Sequence, residues 1–228
     1  MQKPQLVENE IYHIYNRGVE KRDVFQNDKD YFRFIHDLFE FNDENPSLNL
    51  TYYFNPQTME VEPQYLKKER NPRELLVEIL AFVLMPNHFH LLLRQKKKNG
   101  ITKFMQKLGT GYTMYFNKKY ERVGGLFQGR FKAAIVSEEA HFIHLPFYIH
   151  TNPLALNYGG STSIDFLKSY KWSSYPDYIG KKNFPSVTSR EFLLEFFNGE
   201  KEYAKATENW IREKEKNIEG IKDIILEN

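Results

Sequence analysis

The stretch FVLMPNHFHLLLRQ, residues 82–95, sets His88 and His90 one residue apart inside an otherwise apolar run. Residues 75–95 as a whole are too rich in β-formers, and too plainly broken by Pro86, to form one helix. They are expected as two strands, or one long bent strand, around Met85-Pro86-Asn87. Alternate side chains of a strand share a face, so His88 and His90 project together while Phe89 turns into the opposite layer. Two imidazoles with spare lone pairs make two-thirds of a metal site. The plainer reading is a pair of half-buried histidines satisfied by carbonyls.

Outward from this run, IYHIYNRG (11–18) alternates β-formers and stops at glycine, as a strand does. Residues 28–42 carry apolar side chains at helical spacing, with Asp28 as the expected N-cap. LNLTYYFNP (48–56) predicts a strand, and the polar residues 57–74 a loop or insertion. Residues 101–122 are helical in spacing with Thr102 as a cap, although Gly109 and Gly111 each cost about 1 kcal/mol against alanine there. GRFKAAIVS (129–137) predicts a strand. Residues 138–155 predict a helix, stopped by Asn152-Pro153 and open to a kink at Pro146. Strand, helix, strand, strands, helix, strand, helix is the order of an α+β fold, an antiparallel sheet with helices packed on one face.

The composition narrows the function classes. The chain has 228 residues, 41% hydrophobic and 16% aromatic, enough for a core. No run of about 18 apolar residues spans a membrane, and the N-terminal residues lack a secretory apolar segment. There are no cysteines, which excludes disulfides and thiolate metal sites. These features predict a soluble cytoplasmic protein without a membrane partner. The formal net charge of +2 hides an asymmetry, because Arg94–Lys132 holds eleven cations and one anion. A net +10 block on an otherwise acidic chain points to a polyanionic partner, or to a solvated lysine-rich helix face.

A metal at His88 and His90 needs a third ligand. Tyr148 and Asn152 stand at i and i+4 on the third helix and so share a face, with His144 one turn earlier and His141 and His150 nearby. A zinc hydrolase ranks last among the possible chemistries, since no third histidine or carboxylate sits at an evident ligand spacing.

Three ordered motifs now carry a resemblance: MPNHFHLLL (85–93), YFNKKYERVGGLFQGRFK (115–132) and FYIHTNPLALNYG (147–159). With YHIYNRGVEKRDVF (12–25) and KWSSYPDYIG (171–180), they resemble the HUH single-tyrosine transposases. The nearest subgroup is the REP-associated tyrosine transposases, stand-alone relatives of insertion-sequence enzymes. The likeness covers roughly residues 10–180. It implies a ferredoxin-like or RRM-like sandwich with the HUH motif on a central strand. It also implies Tyr148 as nucleophile, with Tyr112, Tyr115 and Tyr120 as rivals, and His88, His90 and Asn152 as ligands of Mg²⁺ or Mn²⁺. The family's third ligand is often glutamine, and Asn152 is one methylene shorter.

The activity this implies is metal-dependent cleavage and strand transfer of single-stranded, hairpin-forming DNA through a 5′-phosphotyrosine. The alternative is a domesticated, non-catalytic DNA binder of the same fold. Arg17, Arg22, Lys118, Lys119, Arg122, Arg130 and Lys132 are the expected phosphate contacts. Tyr115 and Tyr120 are expected to stack bases, with Phe127 equally suited to core packing. The family includes homodimers that share active sites and monomers, and both remain open. Residues 1–180 are expected as the catalytic domain. Residues 181–228 are expected as a helical C-terminal extension, either a packing or partner-binding appendage or a charged solvent-facing cap.

Overall fold

In the computed structural model, residues 4–46, 52–63, 72–156 and 163–225 are described. The start of the expected strand at 48–56, residues 64–71 of the expected loop and residues 157–159 of the third motif lie outside them.

The run around the two histidines folds as two strands. β4 (Val77–Met85) and β5 (His88–Gln95) pair antiparallel with Met85 opposite His88, which leaves Pro86-Asn87 as a two-residue turn. The Pro86 carbonyl accepts the amides of Val24 and Phe25, tying the turn to the segment after the first strand. That strand, β1 (Ile11–Arg17), pairs antiparallel with the other edge of β5. β6 (Lys132–Ile135) then pairs with β1, giving the order β4-β5-β1-β6 with the histidines on a central strand. Residues 172–174 cover the outer edge of β4: the Leu84 amide donates to Trp172 and the Ser174 amide to Phe82.

Two helices lie on one face of the sheet, α1 (Asp28–Glu40) and α2 (Gly100–Lys119). Phe34, Leu38, Phe104 and Leu108 from these helices pack on Phe82, Phe89, Leu91 and Leu93 of the strands. The opposite face is covered as well, which corrects the expectation of helices on one side. There α3 (Glu139–Thr151) packs on Val83, Met85 and Leu92. The same layer is completed by α4 (Ser163–Ser169), α5 (Tyr175–Tyr178), α6 (Glu191–Phe196), α7 (Glu200–Arg212) and α8 (Lys214–Glu219). The physical reason lies in β4 and β5 themselves. Their apolar residues run continuously instead of alternating, so both faces of the sheet need cover. Tyr203, Trp210, Ile221 and Ile224 of the C-terminal helices and the turn that follows them are buried in this second core. Residues 181–225 therefore pack through an apolar stripe that includes Tyr203 and Trp210.

Asn27 caps α1, in a reciprocal capping box with Asp30, and Asp28 is the first helical residue. Asn99 precedes α2 in place of Thr102. α2 runs through both glycines. At Gly111 a Cβ would lie 2.6 Å from the Phe41 ring, so the close approach of α1's end to α2 requires glycine there. α3 also continues through Pro146. In the expected 57–74 loop, β3 (Glu60–Pro63) pairs with β2 (Tyr52–Asn55) as a hairpin.

A buried carboxylate ties α1 to the end of α2. Asp30 accepts Lys119 Nζ at 2.5 Å, Tyr120 Oη at 2.6 Å and Tyr115 Oη at 3.0 Å. Burial alone would raise its pKa, but the contacts from Lys119, Tyr120, the Gln26 amide and Tyr115 outweigh it and hold the carboxyl below its usual range. Asp30→Ala removes this hub and half of the capping box, and is expected to cost about 3 kcal/mol. A urea denaturation midpoint unchanged by the substitution would refute that.

Candidate active site

The strand register assembles the site from residues that are far apart in sequence. On the face of the sheet covered by α3, Tyr15 stands opposite His90 and Arg17 opposite His88. Lys132 stands opposite Tyr15 on the next strand, with its Nζ 6.0 Å from the Tyr15 ring centre. The two histidine rings are perpendicular, with centroids 5.1 Å apart.

Hydrogen bonds determine which nitrogen of each ring is bare. Asn87 donates Nδ2 to the Lys21 carbonyl, so its Oδ1 faces His88 Nδ1 at 2.6 Å and can only accept. His88 therefore carries its proton on Nδ1. Burial lowers its pKa to about 4, with the Asn152 contact opposing and the Arg17 charge reinforcing the shift. The neutral ring consequently turns a bare Nε2 towards Asn152 Oδ1, 3.3 Å away. Two acceptors facing each other are a poor hydrogen bond and a good pair of cation ligands.

His90 is arranged in the same sense through a longer chain. The Ile224 carbonyl, 2.6 Å from His13 Nδ1, can only accept, so His13 is protonated there. Burial lowers His13 to about 4 against the opposing effect of that carbonyl, leaving His13 neutral and its Nε2 bare. His90 Nδ1, 2.8 Å away, must then be the donor to it. Burial first, then the neighbouring His13, His88 and Arg17, push His90 well below the ordinary histidine range. Its remaining nitrogen, Nε2, is buried without a hydrogen-bond partner. An orphaned lone pair beside a second bare imidazole nitrogen and an amide oxygen fits a divalent cation. The mixed nitrogen and oxygen set favours Mn²⁺ over Mg²⁺ in intrinsic affinity, while admitting both. Among the described residues no three His, Cys, Asp or Glu side chains converge, so the zinc-hydrolase reading finds no third ligand.

Because α3 stays helical through Pro146 and Asn152 keeps helical dihedrals, Tyr148 and Asn152 remain one turn apart on the same side. The half-buried Tyr148 ring lies 5.6 Å from His90 and 6.2 Å from His13, edge-on to both. The rival tyrosines sit in the other layer of the fold. Tyr112 donates to the Val24 carbonyl, while Tyr115 and Tyr120 donate to Asp30. His150 lies away from His88 and His90, held between Tyr203 and Ser174. His141 faces Asp223 at 3.2 Å, and His144 approaches Gly220.

The expected phosphate contacts divide. Arg17 and Lys132 share the histidine face, and Arg130 is exposed just ahead of β6. Lys118 is exposed at the end of α2, and Arg122 lies partly buried against Phe116. Lys119 is bound to Asp30 and Arg22 to Glu20, so neither is presented freely. Much of the +10 block is neutralised in the same way: Arg94 and Lys96 pair with Glu78, Lys97 with Glu74 and Lys103 with Glu44. Two site residues, His13 and Tyr15, escaped the sequence reading. Their signal was the strict alternation of IYHIYNR, which puts His13, Tyr15 and Arg17 on one side of β1.

Residues 59–152 match the family model described as Transposase IS200 like, and the likeness to the tyrosine transposases holds. This supports a DNA-processing role connected with transposition. Among solved structures the chain is similar to a REP-associated tyrosine transposase bound to a REP hairpin. The two share 12% identity at a TM-score of 0.51, over 83% of this chain and 90% of that one, a likeness of fold. A bacterial tRNA(His) guanylyltransferase-like protein in complex with ATP, at 11% identity and a TM-score of 0.36 over 79% of this chain and 80% of that one, is too distant to carry an argument. No curated protein matches the chain. Among the described residues no helix is long and apolar enough to cross a membrane.

Proposed function

We propose that the chain cleaves and rejoins single-stranded, hairpin-forming DNA, with Tyr148 as nucleophile and His88, His90 and Asn152 as the ligands of Mg²⁺ or Mn²⁺. The observation that carries this reading is the convergence of two bare imidazole nitrogens, the Asn152 oxygen and the Tyr148 ring on one face of the sheet. The hairpin substrate follows from the similar transposase, which was solved with one. Residues 1–180 are taken as the catalytic unit and 181–228 as its helical extension.

A divalent cation held by His88, His90 and Asn152 would supply Lewis-acid polarisation of the phosphate. Arg17, at the edge of the histidine pair, and Lys132, across Tyr15, hold the phosphodiester against that face by charge. Arg130 continues the track along the strand edge, with Lys118 and Arg122 further out. Tyr148 attacks phosphorus in line, forming a P–O bond as the bond to the 3′-oxygen breaks. The phenolic proton passes to solvent, and the departing oxygen takes up a proton as a free 3′-OH. A phosphotyrosine retains the phosphodiester's bond energy for the reverse attack by another 3′-OH, whereas attack by water would lose it.

The test is incubation of the chain with a single-stranded oligonucleotide containing a hairpin. A denaturation-resistant protein–DNA adduct is expected with Mn²⁺ or Mg²⁺ and none with EDTA. Binding that persists in EDTA, with no adduct under either metal, would instead identify a DNA-binding protein without strand chemistry.

A further inference from the structure

We infer that His13 is a positioning residue for the metal site, and that the C-terminal segment, through the Ile224 carbonyl, sets the tautomer of His90. This deepens the proposed function and rests on His90 being a ligand. A ligating imidazole must present a bare nitrogen, and which nitrogen is bare depends on what the other one meets. His90 cannot settle this alone, because either neutral tautomer is accessible to an isolated ring. Its Nδ1 meets only another histidine, which is equally ambivalent. The ambiguity ends at Ile224, whose carbonyl has no proton to give. Reading back from it, Ile224 O accepts from His13 Nδ1, His13 Nε2 accepts from His90 Nδ1, and His90 Nε2 is left bare.

The geometry supports a rigid relay. His13 and His90 are wholly buried, and their rings lie 18° from parallel with centroids 5.0 Å apart. Ile224 is anchored by its own side chain in the second core, at the turn after α8, where the Ile224 amide donates to the Ile221 carbonyl. The matched family segment ends at residue 152. The extension thus reaches back some seventy residues beyond it to hold a ligand from behind. Removing such an outer partner commonly weakens metal binding 10- to 100-fold.

The experiment compares the full chain with His13→Phe and His13→Gln. Phenylalanine fills the space but accepts nothing. Glutamine can set its carbonyl oxygen where Nε2 stood and accept from His90 Nδ1. Mn²⁺ affinity is read by electron paramagnetic resonance titration, and the His90 tautomer by ¹⁵N chemical shifts in metal-free protein. The expected results are an Nδ1-protonated His90 in the wild type, about 10- to 100-fold weaker Mn²⁺ binding in His13→Phe, and recovery of most of that loss in His13→Gln. Wild-type affinity in a folded His13→Phe variant, or an Nε2-protonated His90 in the wild type, would overturn the relay while leaving the metal site standing. A wild-type chain that binds no Mn²⁺ would overturn both.

Discussion

Tyr148→Phe is expected to abolish the covalent DNA adduct, a loss of at least roughly 10³-fold, since nothing replaces a missing nucleophile. Binding of the same oligonucleotide is expected to stay close to that of the wild type, because the change deletes one hydroxyl from a half-buried ring. The informative control is Tyr15→Phe. The Tyr15 ring lies 5.8 Å from His90, almost as near as that of Tyr148. It is held on a central strand, however, and burial raises its pKa. Tyr148 is half-buried on α3, the helix that also carries Asn152. Tyr15→Phe and Tyr115→Phe should both retain the adduct. An adduct lost with Tyr15→Phe and kept with Tyr148→Phe would move the nucleophile from the helix to the strand.

The second large effect is acid lability well above the range in which carboxylates protonate. His13 and His88 are lowered by burial to about 4, His150 to about 3, and His90 lies well below its ordinary value. In the unfolded chain each titrates near 6.5. The folded state therefore favours the neutral rings. The associated stability is fully present above pH 6.5 and is lost as pH falls towards 4, because the unfolded chain takes up protons that the folded chain refuses. By pH 5, His13 and His88 should each have lost on the order of 2 kcal/mol. A fall in Tm of at least roughly 10 °C between pH 7 and pH 5 is expected, measured by calorimetry in metal-free buffer. Asp30, with its lowered carboxyl, keeps its full contribution from pH 7 to pH 5 and loses it only in stronger acid, as pH drops through that depressed value. A Tm flat from pH 7 to pH 5 would mean that these imidazoles are wetter than their surroundings indicate.

Much of the fold was legible because its signals are local. The alternation in IYHIYNR, the proline-broken apolar run at 75–95 and the helical spacing at 28–42 each depend on neighbours a few residues away. Misreadings arose where distant segments decide. The continuous apolar run of β4 and β5 calls for cover on both faces, but which segment supplies part of it, the C-terminal stripe of Tyr203, Trp210 and Ile224, is not contained in any window around the strands. The cationic block pointed to a polyanionic partner or to a solvated lysine-rich helix face. Folding brings Glu44, Glu74, Glu78 and Asp30 against it, and the cations left exposed, Lys98, Lys118, Arg130 and Lys132, are spread along the block.

By itself, the sequence determined that His88 and His90 share a face and that Tyr148 and Asn152 share another, since strand and helix periodicities follow from backbone geometry alone. Only the tertiary structure decided that these two faces meet, that Tyr112, Tyr115 and Tyr120 turn away, and that His13 stands behind His90. Those outcomes depend on strand register and on which helix packs on which side of the sheet, both settled by burial summed over the whole chain.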